Sequence, residues 1–216
     1  MTTLFYSVVT SLFIFTAIFY KSQIHNQIMK KIYIIEHLEP KLGKWVLIEY
    51  KHISKMIGKR NLWFTNIKHK STKLERLGKC FKESVKELNL KNACVLDPEA
   101  KKLLTPNESK SFNYFIFGGI LGDYPPKKRT RAELTRFMNC KSRNIGKKQM
   151  STDNAIYTVK QITLGKKFKD LEFKYNISLK MNKYLDLELP YLYNLVNGKP
   201  LISKELITFL KRKKGL

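Results

Sequence analysis

The stretch FGGILGDYPPKKRT, residues 117–130, holds three glycines within five residues, followed by an aspartate and a pair of prolines. It continues a short apolar run, FNYFIF (Phe112–Phe117), whose aromatic and β-branched residues predict a buried strand. Glycine at the end of a strand allows another group to come close to the backbone. Because ligands of open α/β sheets bind beyond the carboxyl ends of the strands, this stretch predicts a strand that ends at a binding site.

On both sides of this stretch, apolar runs alternate with amphipathic segments, and the alternation predicts the fold class. The other predicted strands are Ile32–His37, Leu62–Ile67, Ala93–Pro98 and Phe168–Phe173. The first predicted helix is Leu42–Ile57, with Gly58 as its stop. Two helices begin at capping boxes, one at Thr72–Glu75 running towards Leu88 and one at Thr130–Glu133 running towards Met138. A fourth helix is capped by Ser151 or Thr152 and runs through Ile162, and a C-terminal helix begins at Ser203. We therefore expect one α/β domain whose mostly parallel sheet has helices on both faces, with residues 174–183 as a linker-like tract.

The composition limits the classes of partner. The chain has 216 residues, with 42 Lys and Arg against 17 Asp and Glu, a formal net charge of +25. This excess is explained either by solvated surface lysines or by a partner rich in phosphate, such as RNA or a ribosomal surface. The three cysteines are scattered, no CxxC occurs, and the histidines show no ligand spacing with them. These patterns predict neither a disulfide framework nor a metal site.

The N-terminus differs from the rest of the chain, because residues 2–20 carry no charge. One interpretation is a short membrane anchor, which places the basic residues after it on the cytoplasmic side. The other, which we favour, is that the domain begins at Met29, directly before its first strand. We accordingly divide the chain into an apolar segment, residues 1–28, and a domain, residues 29–216. The expected localisation is cytoplasmic, with membrane anchoring through residues 1–28 as the alternative.

Three loops that follow predicted strands share one edge of the expected sheet. They are Leu96–Pro98, Gly118–Asp123 and Arg143–Thr152. None of them is a Walker A loop, and GGILGD lacks the spacing of a dinucleotide-binding GxGxxG. Two loops that contain glycine, together with Asp123 and the start of a helix, favour a ligand site over a simple packed turn.

Five motifs, in order, resemble one family. They are YIIEH (residues 33–37), Trp45 with Glu49-Tyr50, VLDP (95–98), FGGILGDYPPKKRT, and RNIGKKQMSTDNA (143–155). Together they resemble a family of the SPOUT methyltransferase superfamily. That family contains archaeal proteins predicted to be S-adenosylmethionine-dependent RNA methyltransferases, and a eukaryotic arginine methyltransferase that acts on a small-subunit ribosomal protein. The resemblance covers about residues 30–201.

The resemblance implies an α/β fold with a deep trefoil knot, an exception to the usual unknotted topology. It also implies that S-adenosylmethionine is held largely by the backbone of the knot loops and is the group that approaches Gly118 and Gly119. The cofactor-binding residues that it implies are Leu96, Asp97, Pro98, Gly118, Gly119, Ile120, Leu121, Gly122, Asp123, Arg143, Ile145, Gly146, Met150, Ser151 and Thr152. Of these, Ile145, Met150 and Leu121 are the candidates for the adenine slot, and Arg143 for pairing with the methionine carboxylate or with Asp123.

If the acceptor is an arginine, carboxylates must orient it, because a guanidinium is always charged and is a poor nucleophile. The candidate catalytic residues are therefore Asp123, Glu36 and Glu49. A buried ion pair with a lysine or arginine is the alternative for Glu49.

Four further residues are candidates for binding the substrate. Lys127, Lys128 and Arg129 follow the prolines and either meet acceptor phosphates or an acidic patch, or form a solvated run. His37 is the other candidate, with a structural histidine as the alternative.

Three functions stay open on the sequence. The first is methylation of an arginine in a ribosomal protein of the small subunit, and the second is methylation of RNA with the same cofactor site. The third is a basic RNA-binding protein without catalysis. We expect a monomer, because the lysines near the knot loops repel a second copy.

Overall fold

The structure is a computed structural model that describes residues 31–120, 127–181 and 186–212. Within these residues, six strands form a parallel sheet: β1 (Ile32–His37), β2 (Leu62–Thr65), β3 (Lys79–Cys80), β4 (Ala93–Leu96), β5 (Tyr114–Gly119) and β6 (Lys141–Arg143). The strand order is β3-β2-β1-β5-β4-β6, and every pairing is parallel. The mostly parallel sheet predicted from the sequence is therefore confirmed.

Two long helices cover one face of the parallel sheet. They are α1 (Lys44–Ile57), which ends at Gly58 as predicted, and α4 (Thr152–Thr163), which begins after Ser151. Their apolar side chains pack with the sheet residues Tyr33, Ile35 and Phe115 in one buried cluster. Between them in sequence lie the single-turn helices α2 (Thr72–Glu75) and α3 (Pro106–Ser109).

The opposite face, which carries Ile34 and Ile116, is covered by short turns instead of long helices. Val85 lies in a 3₁₀ turn (Val85–Glu87), and Leu134 lies in a π-helical turn (Thr130–Leu134) that continues as a 3₁₀ turn (Thr135–Phe137). Both side chains are fully buried against Ile34 and Ile116. The expected long helices on this face are therefore replaced by compact turns.

A small antiparallel sheet follows the parallel one. It consists of β7 (Phe173–Lys180), β8 (Asp186–Val196) and β9 (Lys199–Pro200), and the described chain ends in α5 (Lys204–Arg212). Along β7 only Ile177 is buried, where it packs with Leu189 and Tyr193 of β8. The hairpin lies against Trp45 at the start of α1, so it is part of the same body as the parallel sheet.

Several local predictions were wrong. The helix from Thr72 ends at Glu75 instead of continuing towards Leu88, and its N-cap is Ser71, which accepts a hydrogen bond from the amide of Leu74. No cap hydrogen bond is present before the turn at Thr130, so TRAE is not a capping box. A 3₁₀ turn occupies Phe168–Asp170 where a strand was expected, and the tract from residue 174 is strand β7. The sequence of β7, FKYNISLK, alternates apolar and polar residues, so the period-2 signal was present and was missed.

The predicted localisation is corrected. Among the helices of residues 31–120, 127–181 and 186–212, none is long and apolar enough to cross a membrane, so no described helix supports the anchored alternative. The segment to which the anchor was assigned, residues 1–28, lies outside the described residues, as do Leu121, Gly122 and Asp123.

Candidate active site

A cavity of about 250 Å³ lies beyond the carboxyl ends of β4 and β5, next to the loop that follows β6. Its lining comprises Leu96, Asp97, Pro98, Glu99, Phe117, Gly118, Ile120, Lys127, Lys128, Arg129, Thr130, Ile145, Gly146, Lys147, Lys148, Gln149, Met150, Thr152 and Ala155. We call it the first cavity. Its position is the one at which ligands bind in open α/β sheets.

Nine of the residues predicted to bind the cofactor line this cavity together: Leu96, Asp97, Pro98, Gly118, Ile120, Ile145, Gly146, Met150 and Thr152. All three predicted loops therefore contribute to one cavity. The apolar part of the wall is formed by Leu96 and Phe117 at the strand ends and by Ile145 and Met150 from the third loop. Such a wall suits a flat aromatic group.

Asp97 is the buried carboxylate of the first cavity, with an exposed fraction of 1%. Its Oδ1 accepts a hydrogen bond from the amide of Glu99 at 2.8 Å. Its Oδ2 accepts no hydrogen bond within the described residues, although Nε of Arg131 lies 3.2 Å away. A buried carboxylate oxygen with spare capacity is costly unless it meets a donor, so Asp97 is suited to accept a hydrogen bond from a ligand.

The two glycines at the end of β5 differ in what they approach. A Cβ built on Gly119 lies 2.5 Å from the hydroxyl of Tyr50 and 2.7 Å from Cγ2 of Ile35, and Gly119 does not line the first cavity. The protein's own side chains therefore require glycine at this position, which corrects the prediction that a cofactor does. Gly118 lines the cavity, and a Cβ there lies 3.2 Å from both Ile120 and Thr130.

The guanidinium groups of the two predicted arginines, Arg143 and Arg129, both have acidic partners within the protein. Arg143 lines neither cavity, because its guanidinium forms a two-pronged ion pair with Glu108. Arg129 lies at the first cavity, but its guanidinium pairs with Glu133 at 2.7 Å and with Glu39 at 3.0 Å. These pairs raise the pKa of both arginines and hold them as structural cations.

The two lysines predicted to bind substrate lie at the mouth of the first cavity. Both Lys127 and Lys128 line it. Both are exposed, and Lys128 pairs with Glu99 at 3.0 Å.

A second cavity, of about 230 Å³, adjoins the first and shares Ile120 with it. Its lining comprises Trp45, Glu49, Ile120, Ser151, Asp153, Tyr191, Tyr193, Ile202 and Leu206. Helices α1, α4 and α5 and strand β8 all contribute to this wall. Ser151, which was predicted to bind the cofactor, lies in this second cavity. The combination of aromatic rings and two carboxylates is suited to a planar cation.

Glu49 and Asp153 form the acidic wall of the second cavity. Glu49 is 6% exposed and Asp153 is 3% exposed. The amide of Asp153 donates a hydrogen bond to Oε1 of Glu49 at 3.2 Å. Burial, with the neighbouring charge of Asp153, raises the pKa of Glu49 to about 8. The predicted ion pair of Glu49 with a lysine or arginine is absent from the described residues, so Glu49 has no cationic partner of that kind there.

Glu36 and His37 line neither cavity. Glu36 is fully buried on the opposite face of the sheet and accepts hydrogen bonds from the hydroxyls of Thr65 and Ser84 and from the amide of Val85. The ring of His37 meets the hydroxyl of Tyr50 at 3.1 Å, and burial lowers the pKa of His37. This geometry opposes the catalytic role predicted for Glu36 and the substrate contact predicted for His37.

Sequence reasoning missed several residues of the second cavity. Asp153 is part of the motif RNIGKKQMSTDNA, yet no role was assigned to it. Tyr191 and Tyr193 alternate along β8, but the hairpin of β7 and β8 was not recognised as a strand pair. His52, whose Nδ1 lies 2.8 Å from Oδ2 of Asp153, was also missed. His52 lies three residues after Glu49 on a predicted helix, and this spacing indicates that the two side chains are neighbours on one helix face.

The parallel sheet, the cavity at its strand ends and the adjoining acidic cavity define an α/β protein suited to bind an organic ligand beside a cationic group. The family model "Protein arginine N-methyltransferase SFM1-like" matches residues 32–215. The chain belongs to this family, which confirms the resemblance found in the sequence.

Relatives of known activity and structure support this assignment. Protein arginine N-methyltransferase SFM1 of Saccharomyces cerevisiae is 36% identical over 200 residues, which span 83% of this chain and 94% of the yeast protein. The crystal structure of yeast SFM1 complexed with SAM has a TM-score of 0.76 at 34% identity and covers 84% of this chain and 90% of that one. The complex with SAH has a TM-score of 0.76 at 33% identity, covering 86% and 97% of the two chains.

Proposed function

We propose that this protein transfers the methyl group of S-adenosylmethionine to an arginine of a ribosomal protein of the small subunit. Family membership and the yeast relative, an arginine methyltransferase crystallised with SAM, SAH and MTA, support the activity and the cofactor. The observation that carries the proposal is the acidic second cavity, which adjoins the first through Ile120. A cofactor cavity beside a carboxylate-lined cavity is what transfer to a guanidinium requires.

The residues of the first cavity fit this cofactor. The unsatisfied Oδ2 of Asp97 is an acceptor for ribose hydroxyl or ammonium groups, and Ile145 and Met150 form an apolar wall for the adenine. The main chain at Gly118 and Gly146 is accessible at the cavity wall. When bound, the cofactor supplies a methyl group on a positively charged sulfur. The roles predicted for Leu121, Gly122 and Asp123, outside the described residues, are part of this proposal.

The second cavity is proposed to hold the acceptor arginine. Glu49 lies in an apolar surrounding that raises its pKa to about 8, so an entering guanidinium gains a strong partner by drawing this carboxyl into its charged form. Trp45 and Tyr191 line the same wall and offer ring faces to a planar cation. Because catalysis of methyl transfer depends on orientation, Glu49 would act chiefly by fixing the acceptor nitrogen towards the first cavity.

The finer features implied by the resemblance also belong to this proposal. They are a deep trefoil knot formed by the chain around the first cavity, a methyltransferase domain spanning residues 29–216, and a monomeric state. The family match over residues 32–215 supports the domain boundaries. The exposed lysines at the first cavity, Lys127, Lys128, Lys147 and Lys148, support a monomer, because like charges oppose self-association there.

RNA is the second candidate acceptor, and the net charge of +25 is the observation that favours it. Basic charge alone positions a protein on phosphates without selecting an acceptor. An arginine in a ribosomal protein next to rRNA agrees with both the charge and the acidic second cavity, so it is the better supported acceptor.

The test uses the full chain with methyl-tritiated S-adenosylmethionine and undermethylated small ribosomal subunits. After incubation, protein and RNA are separated and the label is measured in each fraction. Label recovered as methylarginine in one protein band is the expected result. Label in the RNA fraction would replace the protein acceptor by RNA, and no label together with no cofactor binding by calorimetry would overturn the enzymatic function.

A further inference from the structure

Methyl transfer to a guanidinium leaves a proton that the enzyme must dispose of. One N–C bond forms with a nitrogen lone pair, and one C–S bond breaks with its electron pair staying on sulfur. The two reactants, the guanidinium and the sulfonium of S-adenosylmethionine, each carry one positive charge. The products are one methylguanidinium, one neutral thioether and one proton. The second cavity is lined by apolar and aromatic side chains together with two carboxylates, so a group of its wall must first take up this proton.

Asp153 is the wall carboxylate that has a connection to the outside. Its Oδ1 is saturated by the hydroxyl of Ser151 at 2.6 Å and by the amide of Asn154 at 2.8 Å. Its Oδ2 lies 2.8 Å from Nδ1 of His52. The side chain of Asp153 is 5% exposed, whereas that of His52 is 18% exposed. The pair therefore runs from the wall of the cavity to the partly solvated surface of α1.

We propose that His52 is a positioning and proton-carrying residue that acts through Asp153, an inference that rests on the proposed function. With His52 in the tautomer that carries its proton on Nε2, the acceptor nitrogen gives its proton to Asp153, which passes it through Oδ2 to Nδ1 of His52. The resulting imidazolium gives one proton to water, proton exchange with water returns His52 to that tautomer, and Asp153 is again a carboxylate. No co-reactant beyond solvent is needed. Glu49, three residues before His52 on α1, holds the guanidinium while Asp153 takes the proton.

The charged surroundings of the pair are consistent with this division of roles. Glu49 of α1 lines the same wall, and Tyr191 and Tyr193 face it from β8. From α5, Glu205 is engaged with Lys51 at 2.7 Å, and from α4, Lys160 donates to the carbonyl of Met56. Lys51 and Lys160 are thus engaged elsewhere. His52 is the basic side chain among the described residues whose contact with Asp153 is direct.

The experiment compares full-length wild type with His52→Ala and with His69→Ala, a control at an exposed histidine in the loop before α2. Initial rates on small ribosomal subunits at saturating S-adenosylmethionine are measured from pH 5.5 to 9. A histidine ordinarily changes charge between about pH 5 and 8, and it accepts a proton only when neutral. The wild-type kcat is therefore expected to rise with pH through an acid limb.

His52→Ala is expected to lose this limb and to lower kcat by roughly 100-fold, the lower end for general acid–base groups. Imidazole added to the buffer should restore part of the rate. KM and cofactor affinity by calorimetry should stay within about twofold of wild type, since binding of substrate and cofactor does not depend on removal of the proton. His69→Ala should match wild type.

A purely structural role predicts something else: a lower melting temperature, an unchanged acid limb and no response to imidazole. Either an unchanged limb or a failure of imidazole to restore any rate would overturn the inference while leaving the proposed function intact. If the wild type itself transfers no methyl group, the proposed function fails, and this inference fails with it.

Discussion

The backbone amide of Asp153 donates a hydrogen bond to Oε1 of Glu49 at 3.2 Å, so two buried carboxylates from α4 and α1 lie side by side on one wall. Two negative groups in such an apolar place repel each other and lose hydration, which is costly unless a cation or a proton is present. In the free protein, a proton on Glu49 removes one of the two negative charges. When an acceptor arginine is bound, its guanidinium would compensate the negative charge instead.

Glu49→Gln is expected to lower kcat/KM by about 100-fold or more, because an amide cannot replace the charge that holds a guanidinium. The variant should fold at least as stably as wild type, since it removes a buried ionisable group. Rates on small ribosomal subunits and a melting curve measure both quantities. Glu205→Gln, at an exposed ion pair with Lys51, is the matched control and should keep its activity. An active Glu49→Gln enzyme would remove Glu49 from the acceptor site.

The raised pKa of Glu49 also predicts how stability depends on pH. The folded protein holds this proton up to about pH 8, whereas the unfolded chain releases it near its ordinary value of 4.5. Between these values the folded state binds more protons, so the free energy of unfolding falls as pH rises. The contribution is complete below about pH 4.5 and is lost by the time pH passes 8.

Urea unfolding of wild type and Glu49→Gln at several pH values isolates this contribution from other titrating groups. The stability of wild type relative to the variant should decline by a few kcal/mol, to order of magnitude, between about pH 5 and 8, then level off. A difference that stays constant over this range would show that Glu49 is ionised in the folded protein at pH 5.

The sheet was predictable from the sequence because continuous apolar strands such as Ile32–His37 leave few alternatives to a buried parallel strand. The three loops of the first cavity were predictable for the same reason, since they follow the carboxyl ends of those strands. The second cavity was not, because its wall joins side chains distant in sequence, Glu49 and Tyr193 among them. That wall also depends on a hairpin whose first strand, FKYNISLK, was interpreted as part of a linker. The sequence correctly indicated that another group lies close to the backbone of Gly119. That group was predicted to be the cofactor, whereas in the structure it is the side chains of Tyr50 and Ile35.

Asp97→Asn tests the first cavity. Within the described residues, the buried Oδ2 of Asp97 has an ion pair with Arg131 but accepts no hydrogen bond, and replacing the carboxylate would remove a charge-assisted hydrogen bond to the cofactor, worth about 1.5–3 kcal/mol. Affinity for S-adenosylmethionine is therefore expected to fall by at least 10-fold in calorimetry, with little change in melting temperature. Asp170→Asn, at an exposed position, is the control and should bind as wild type does. Equal affinity of Asp97→Asn and wild type would place the cofactor away from this carboxylate.

Glu36→Gln separates a structural carboxylate from a catalytic one. The hydrogen bonds from Thr65, Ser84 and Val85 tie β1 to β2 and to the 3₁₀ turn at Val85–Glu87, which follows β3. Exchanging one acceptor oxygen for an amino group should cost about 1–2 kcal/mol of stability, while activity per folded molecule stays within about threefold of wild type. Denaturant unfolding and rate measurements on the same sample give both values. Loss of activity without loss of stability would return Glu36 to the catalytic residues.

Gly119→Ala is expected to destabilise the protein by about 1–3 kcal/mol, because the new methyl group would lie 2.5 Å from the hydroxyl of Tyr50 and 2.9 Å from the carbonyl oxygen of Glu36. Gly43→Ala, where nothing lies within 4 Å of the new Cβ, is the control and should cost a few tenths of a kcal/mol as an N-cap change. Combining Gly119→Ala with Tyr50→Phe removes the nearest clashing atom. The double variant should therefore lose less stability than the two single variants together, as a double-mutant cycle measures. Strict additivity would mean that the obstacle is β1 itself, through the side chain of Ile35 and the carbonyl of Glu36, because the tyrosine hydroxyl would then contribute nothing to the clash.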